Sequence, residues 1–291
     1  MITTQTEPLD ASLDFTPERK TLFAQFFPTI PPANAQFVHL EGKKTVYFTL
    51  TNENIIFYLA PDADITLNIH YKNRAIAPAQ VRCFFIVNRN AHCSCYESLQ
   101  THDEIHFTAA LQKDSTFTRM GLVHHSPVLH RDYFLKEAGA QVTDHAIYLT
   151  QEKEEQHHWV TVTHEAPTTK STFHAKALVS RAAYTQIYGT VIIQPTAIQS
   201  STFFGAHALL LEKDAYARII PALEIHTSNV QNAGHATTVR PLDTDHLFYL
   251  TSRGIAEEDA RKELTLGFIN DLLIQFPEHE QTAITQLIND Q

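Results

Sequence analysis

Val81-Arg82-Cys83-Phe84-Phe85-Ile86-Val87, closed by Asn88-Arg89-Asn90, sets the period of this chain. Val81, Cys83, Phe85 and Val87 alternate, so in an extended segment all four point to one face. The same alternation stands upstream in Val46-x-Phe48-x-Leu50 and Ile65-x-Leu67-x-Ile69, and downstream in Val160-x-Val162 and Val191-x-Ile193. Turn formers interrupt the runs about every eight to ten positions, at Thr51-Asn52-Glu53-Asn54, Pro61-Asp62-Ala63-Asp64 and Lys113-Asp114-Ser115. That spacing is common to a sandwich, a barrel and a β-solenoid. Between about Gln36 and Arg240 no amphipathic helix separates the strands, which argues against a doubly wound α/β sheet. Neither Asn-Gly nor Asp-Gly occurs anywhere. Two-residue hairpins depend on such dipeptides, whereas a coil winding in one sense does not.

The periodicity changes at both ends. Residues 1–36 read as a lead-in segment: Thr16 can cap a short helix with Pro17 in its first turn, Leu22, Phe23, Phe26 and Phe27 form its apolar stripe, and Pro28, Pro31 and Pro32 end it. Residues 37–242 read as the β core and 243–291 as a helical region. There Asp243 or Thr244 caps a helix over Asp245–Ser252, with Gly254 placed for a left-handed stop. Glu257, Glu258 and Asp259 open a second helix whose Leu264, Phe268, Leu272 and Phe276 recur every four residues before Pro277. A third carries Ile284, Leu287 and Ile288.

With 32 acidic against 22 basic residues, the net charge of −10 argues against nucleic acid or an anionic membrane as the main partner. No apolar run is long enough to span a bilayer. The opening Met1-Ile2-Thr3-Thr4-Gln5-Thr6-Glu7 has no basic or apolar leader pattern, and three cysteines form no disulfide framework, so a cytoplasmic protein is expected. Eight glycines, with no GxGxxG or GxxxxGK[ST], leave no phosphate-cradling loop.

A longer pattern lies near the C-terminus: Pro221-Ala222-Leu223-Glu224-Ile225, then Gly234-His235-Ala236-Thr237-Thr238-Val239, Leu242-Asp243, Leu247-Phe248-Tyr249-Leu250-Thr251-Ser252-Arg253-Gly254-Ile255, and Gly267-Phe268. In order and spacing it resembles the C-terminal region of the SufB/SufD family, scaffolds of iron–sulfur cluster assembly. Thinner likeness continues upstream in His164-Glu165-Ala166-Pro167 with Ser171 and Phe173, in Gly189-Thr190-Val191 with Pro195, and in Leu209-Leu210-Leu211, so the resemblance covers about residues 155–275. It implies a right-handed parallel β-helix with helical ends and no reaction of its own. It further implies a SufB-like partner, or a second copy of this chain, paired through the β-helix, and a SufC-type ABC ATPase docked on the C-terminal helices. Leu247, Phe248, Tyr249, Arg253 and Phe268 are the expected docking residues.

Within the family, SufD-type chains carry histidine where SufB-type chains carry glutamate, and His235 matches the former. The resemblance therefore implies that His235 faces a partner cysteine at the subunit interface, where a nascent, transient cluster forms. The SufB thiolate position, in a C-D-S-L-L-L-like stretch, is Ala206 here, and Ala233 stands where SufD types often have cysteine. The resemblance also implies a lead-in shorter than the family's N-terminal helical region. FADH2 accompanies some complexes of the family, but no motif in this chain assigns it a place.

Other metal-ligand patterns are sparse. Cys93-x-Cys95, with His92 and Cys83, is the one thiol cluster; in a strand both thiols share a face, though free cysteine commonly packs as a small hydrophobe. His124-His125 could join His130 only through one member of the pair, and His157-His158 reads as a solvated turn after the charged run 152–156. A same-fold homodimer without cluster chemistry is the alternative. A carbohydrate lyase would need clustered carboxylates and a basic residue on one coil face, and a cupin-type metal enzyme a closely spaced His-x-His pair; neither pattern is present.

Overall fold

The alternation at 81–87 is one strand of a long parallel stack. The computed structural model describes residues 17–27, 35–50, 54–71, 80–101 and 103–289. A short helix α1 (Pro17–Phe26) precedes sixteen strands. The odd-numbered ones are β1 (Gln36–Leu40), β3 (Asn54–Leu59), β5 (Gln80–Val87), β7 (Glu104–Leu111), β9 (Val128–Leu135), β11 (Glu155–His164), β13 (Tyr184–Ile193) and β15 (Tyr216–Ile225). The even-numbered ones are β2 (Lys43–Leu50), β4 (Asp64–Tyr71), β6 (His92–Gln100), β8 (Thr116–His124), β10 (Gln141–Thr150), β12 (Lys170–Val179), β14 (Ser201–Leu210) and β16 (Asn232–Pro241). Odd strands form one eight-stranded sheet and even strands another, each strand pairing in parallel with the one two positions on. That is a β-solenoid, as the missing hairpin dipeptides and the family resemblance both implied. Helices α2 (Thr244–Ser252), α3 (Glu257–Leu273) and α4 (Glu278–Asn289) follow.

Before the even strands the turning device is a single left-handed residue. Asp62, Asn90, Asp114, Gly139, Thr168 and Gln199 each lie two positions before an even strand, with φ between +54° and +75°. Their amides form a ladder: Asn90 N–H donates to the Lys113 carbonyl, Asp114 to Ala138, Gly139 to Pro167 and Thr168 to Ile198. Asp, Asn and Gly tolerate this backbone best, so four of the six corners use them. The Asn90 amide also donates to Asp62 Oδ1 at 2.9 Å, tying two corners together.

Inward residues of both sheets merge into one apolar core, with Phe57, Phe85 and Phe107 stacked along it. Outward faces are covered at two places. Phe23 and Phe26 of α1, with Phe27 just after it, pack on Ile56, Phe84, Ile86 and Ala110. Ile269, Leu272, Ile284 and Ile288 of α3 and α4, with Phe276 between them, pack on Leu122, Ile147, Leu149, Leu178 and Leu209 of the even sheet. Asp243 caps α2, accepting from the amides of Asp245 and His246, and Gly254 at φ +89° ends it. Helix α3 stops at Leu273, short of Pro277, so Phe276 anchors the α3–α4 turn rather than the helix itself. Thr16, Pro28, Pro31, Pro32, the side chain of Leu22 and the turn at Thr51-Asn52-Glu53 lie outside the described residues.

Two glycines are dictated by packing. A Cβ on Gly189 would lie 2.1 Å from the Phe204 ring, and one on Gly121 would lie 2.4 Å from the Arg119 guanidinium. Gly189 belongs to the family-like stretch, and room for Phe204 is its physical reason. His164, from the same resemblance, is fully buried; its Nδ1 meets Thr169 Oγ1 and its Nε2 meets Ser171 Oγ, both at 2.8 Å. Ser171 in turn bonds Thr202 on the next coil at 2.7 Å. These matched residues hold coils together rather than facing a substrate.

Candidate functional site at the C-terminal end of the solenoid

Parallel register lines up side chains coil after coil. One inward column runs Val46, Leu67, Cys95, Arg119, Asp144, Phe173, Phe204 and finally His235. Phe173 and Phe204 stack at 4.5 Å, and His235 follows them on the last strand, exposed because no further coil covers it. Ala206, at the SufB-type thiolate position, is fully buried and pairs with Thr237, while Ala233 pairs with Thr202.

Strands β15 and β16 are the terminal edges of their sheets. Ile225 and Val239 occupy inward columns yet are 44% and 42% exposed. In the first coil, by contrast, Val38, Leu40, Phe48 and Leu50 are all buried. A solenoid end with open core columns and unpaired strand edges is a surface that stable proteins cover.

Beside this end stands α2, of whose residues none is buried. Phe248 and Tyr249 are 73% and 54% exposed, and Arg253 lies 5.1 Å over the Tyr249 ring. Leu247, with Leu210, Arg240, Leu242 and Arg261, lines a cleft of about 710 Å³ between α2 and the last coil. The structure thus brings Leu247, Phe248, Tyr249 and Arg253 together on one helix. Phe268 is separate from them: it packs against the even sheet, with Lys176 Nζ 4.9 Å and the Arg240 guanidinium 5.8 Å from its ring.

The thiol cluster has a different setting from the one a metal needs. Cys83, Cys93 and Cys95 are all buried in the main core, and burial pushes their thiols up, away from the thiolate a metal requires. His157-His158 is not a solvated turn. Both lie in β11, and His158 is fully buried, stacked on Tyr148 at 4.0 Å and bonded to Gln156; the turn is confined to residues 152–153, and the alternation of the strand that starts at Glu155 places His158 inward. His124 and His125 do not meet His130: His124 bonds Gln151 and His125 bonds Glu154.

Charge inside the solenoid escaped the sequence reading. Arg119 and Arg131, fully buried, meet Glu97 and Asp144 across the two sheets. Arg119 Nε donates to Glu97 Oε1 at 2.6 Å and its Nη1 to Asp144 Oδ1 at 2.9 Å; Arg131 Nη1 and the Tyr133 hydroxyl donate to Asp144 Oδ2 at 3.0 and 2.7 Å. Burial alone would push the Asp144 carboxyl up, but Arg131 and Arg119 hold it below the usual carboxylate range. Two cations balance two anions. The available signal was Arg119 and Asp144 sitting in register with apolar alternation, Phe117-x-Arg119 and Val142-x-Asp144.

The family described as "SUF system FeS cluster assembly, SufBD core domain" matches residues 40–268, most of the chain. The chain belongs to that family. An iron–sulfur cluster assembly SufBD family protein of Mycobacterium leprae is 41% identical over 91 residues, which cover 31% of this chain and 23% of that one. A SufBD family protein of Staphylococcus epidermidis is 28% identical over 125 residues, 43% of this chain and 27% of its own. An iron–sulfur cluster assembly protein SufD of Plasmodium falciparum is 28% identical over 137 residues, 47% of this chain and 9% of its own. These matches therefore span less than a third of the relatives' lengths. The SufBD core family is one of scaffold assembly proteins. Among the described residues no helix is long and apolar enough to cross a membrane. The N-termini of the three C-terminal helices carry Asp243 and Asp245, Glu257 to Asp259, and Glu278 and Glu280. Carboxylates there oppose a phosphate-bearing group, so these helix ends do not suit the diphosphate of FADH2.

Proposed function

We propose that the chain is a SufD-like scaffold subunit, pairing through its open solenoid end with a SufB-like chain and docking a SufC-type ABC ATPase on α2. The observation that carries this reading is the open last coil, where His235 ends an inward column between the exposed edges β15 and β16. An added strand would satisfy the unpaired edge groups and cover Ile225 and Val239. Imidazole is a ligand suited to iron, so His235 would meet the cluster, which is cargo rather than a resident cofactor, together with thiolates from the partner. Because Ala206 and Ala233 carry no thiol and Cys83, Cys93 and Cys95 are buried, the sulfur ligands would come from that second chain. ATP-driven dimerisation of the ATPase would then pull on the helices and shift the paired ends.

The aromatic pair Phe248 and Tyr249, exposed beside Arg253, has the composition of an interface anchor. Anaerobic co-expression with SufB-like and SufC-type proteins, followed by mass determination of the purified species, tests the reading. A complex containing all three chains is expected, with His235→Ala assembling normally but losing bound cluster. A chain that never joins either partner would overturn it. The alternative of a homodimer without cluster chemistry draws on the same absence of thiols: two copies would offer two imidazoles and no sulfur.

A further inference from the structure

On the outer face of the odd sheet, far from the open end, three ligand atoms converge. Glu104 and His106 lie on β7, two residues apart and hence on one face; His130 lies on β9, directly opposite His106 in the parallel register. The two imidazoles stack at 4.5 Å with 9° between their planes. Glu104 Oε1 is 2.8 Å from His106 Nε2 and 3.7 Å from His130 Nε2, and one donor atom from each of the three residues falls within 4.8 Å of the others. We infer that Glu104, His106 and His130 form a site for a divalent first-row transition metal ion, with solvent completing the coordination.

The distances suit such an ion. Zinc-type centres hold nitrogen and oxygen at about 2.0–2.2 Å, which puts adjacent tetrahedral ligand atoms about 3.4 Å apart. The separations of 2.8 and 3.7 Å straddle that value; because an imidazole nitrogen binds in its own ring plane, the two stacked rings must turn about their Cβ–Cγ bonds, out of the parallel stack, to aim at one ion. Two imidazoles and one carboxylate select zinc, cobalt, nickel or iron over magnesium or calcium, which prefer all-oxygen shells. Glu104 is already oriented: the Gln80 side-chain amide donates to its Oε2 at 3.1 Å, and Arg82 donates to Gln80 Oε1 at 2.8 Å. Asp132, on the same face of β9, lies close enough to both imidazoles to interact with their charge.

The protein supplies its own reporter. Trp159 is the single tryptophan of the chain and stacks on the other side of His130, 4.5 Å away with 7° between the planes. A paramagnetic ion on His130 would quench it. Full-length protein stripped by chelator dialysis is titrated with Co2+ while Trp159 emission and the visible d–d absorption of bound Co2+ are followed, then back-titrated with Zn2+. The expected result is saturable quenching at one equivalent, reversed by Zn2+. Glu104→Gln and His106→Ala, neither of which touches Trp159, should weaken binding on the order of tenfold to a hundredfold. His92→Ala, on the other sheet, should bind as the wild type does. Absence of saturable quenching, or equal quenching in both cluster variants, would overturn the site and assign any uptake to scattered surface histidines. Anomalous diffraction from Zn2+-soaked crystals gives an independent reading that needs no variant: a peak among the three side chains supports the site, and peaks only elsewhere refute it.

Discussion

The middle coils and the last coil are made from the same kind of strand and differ in what their inward columns meet. In the middle, each inward residue has a neighbour on both sides, and even charge is accommodated: Arg119 and Arg131 are fully buried because Glu97, Asp144, Tyr133 and Tyr148 answer them. In the last coil the same columns stop at Ile225, His235 and Val239, with nothing beyond. The difference separates two roles that the sequence writes in one alphabet. Interior columns of the middle coils set stability, whereas those of the last coil are left open, at the surface where the proposed partner would pair.

Substitutions sharpen that contrast from the most to the least costly. Asp144→Ala would leave two buried guanidiniums without their shared carboxylate, and a loss of about 3–5 kcal/mol is expected from denaturant unfolding; a loss below about 1 kcal/mol would mean the buried charges hold little together. Acid should act on the same interior. Burial lowers His164 to about 4, so the unfolded chain, with an ordinary histidine near 6.5, takes up the proton first. Its contribution is therefore fully present above about pH 6.5 and is lost as pH falls toward 4, reaching about 3 kcal/mol at the acid limit. His158, lowered by burial and by the nearby Arg131, acts in the same direction. Melting temperatures measured across that window should fall; a flat profile would contradict the neutral buried imidazoles. Gly189→Ala, forced against the Phe204 ring, should cost about 1–3 kcal/mol by the same unfolding assay. At the open side the expected stability effect almost vanishes. Phe248→Ala, at a residue 73% exposed, should stay within about 0.5 kcal/mol of wild type while selectively weakening capture of a SufC-type ATPase. If capture is unchanged, α2 is not the docking helix.

Much of this architecture was legible beforehand. Alternation at 81–87 and the lack of Asn-Gly and Asp-Gly narrowed the fold, and the pattern from Pro221 to Phe268 pointed to the SufBD family that the match over residues 40–268 establishes. The corners were half visible: Asp62, Asn90, Asp114 and Gly139 are residues that favour a left-handed backbone, but Thr168 and Gln199 do the same work by position alone. His158 and His164 were harder, because a histidine in a strand carries no mark of which face it takes until the register is known. The Glu104–His106–His130 cluster was hidden for a related reason. Its members are separated by one full coil, 24 residues from His106 to His130, and only the parallel pairing brings them side by side.

The proposed interface at the open end is tested most directly by Val239→Asp. Val239 lies on β16 in an inward column, opposite Ala208, and is 42% exposed, so a carboxylate there would reach water in the unpaired chain. The measurement is the mass in solution of the chain co-expressed anaerobically with a SufB-like partner, wild type beside Val239→Asp, with melting temperature as the folding control. A wild-type heterodimer and a folded variant that stays alone are expected. A variant that pairs as tightly as wild type would contradict that interface.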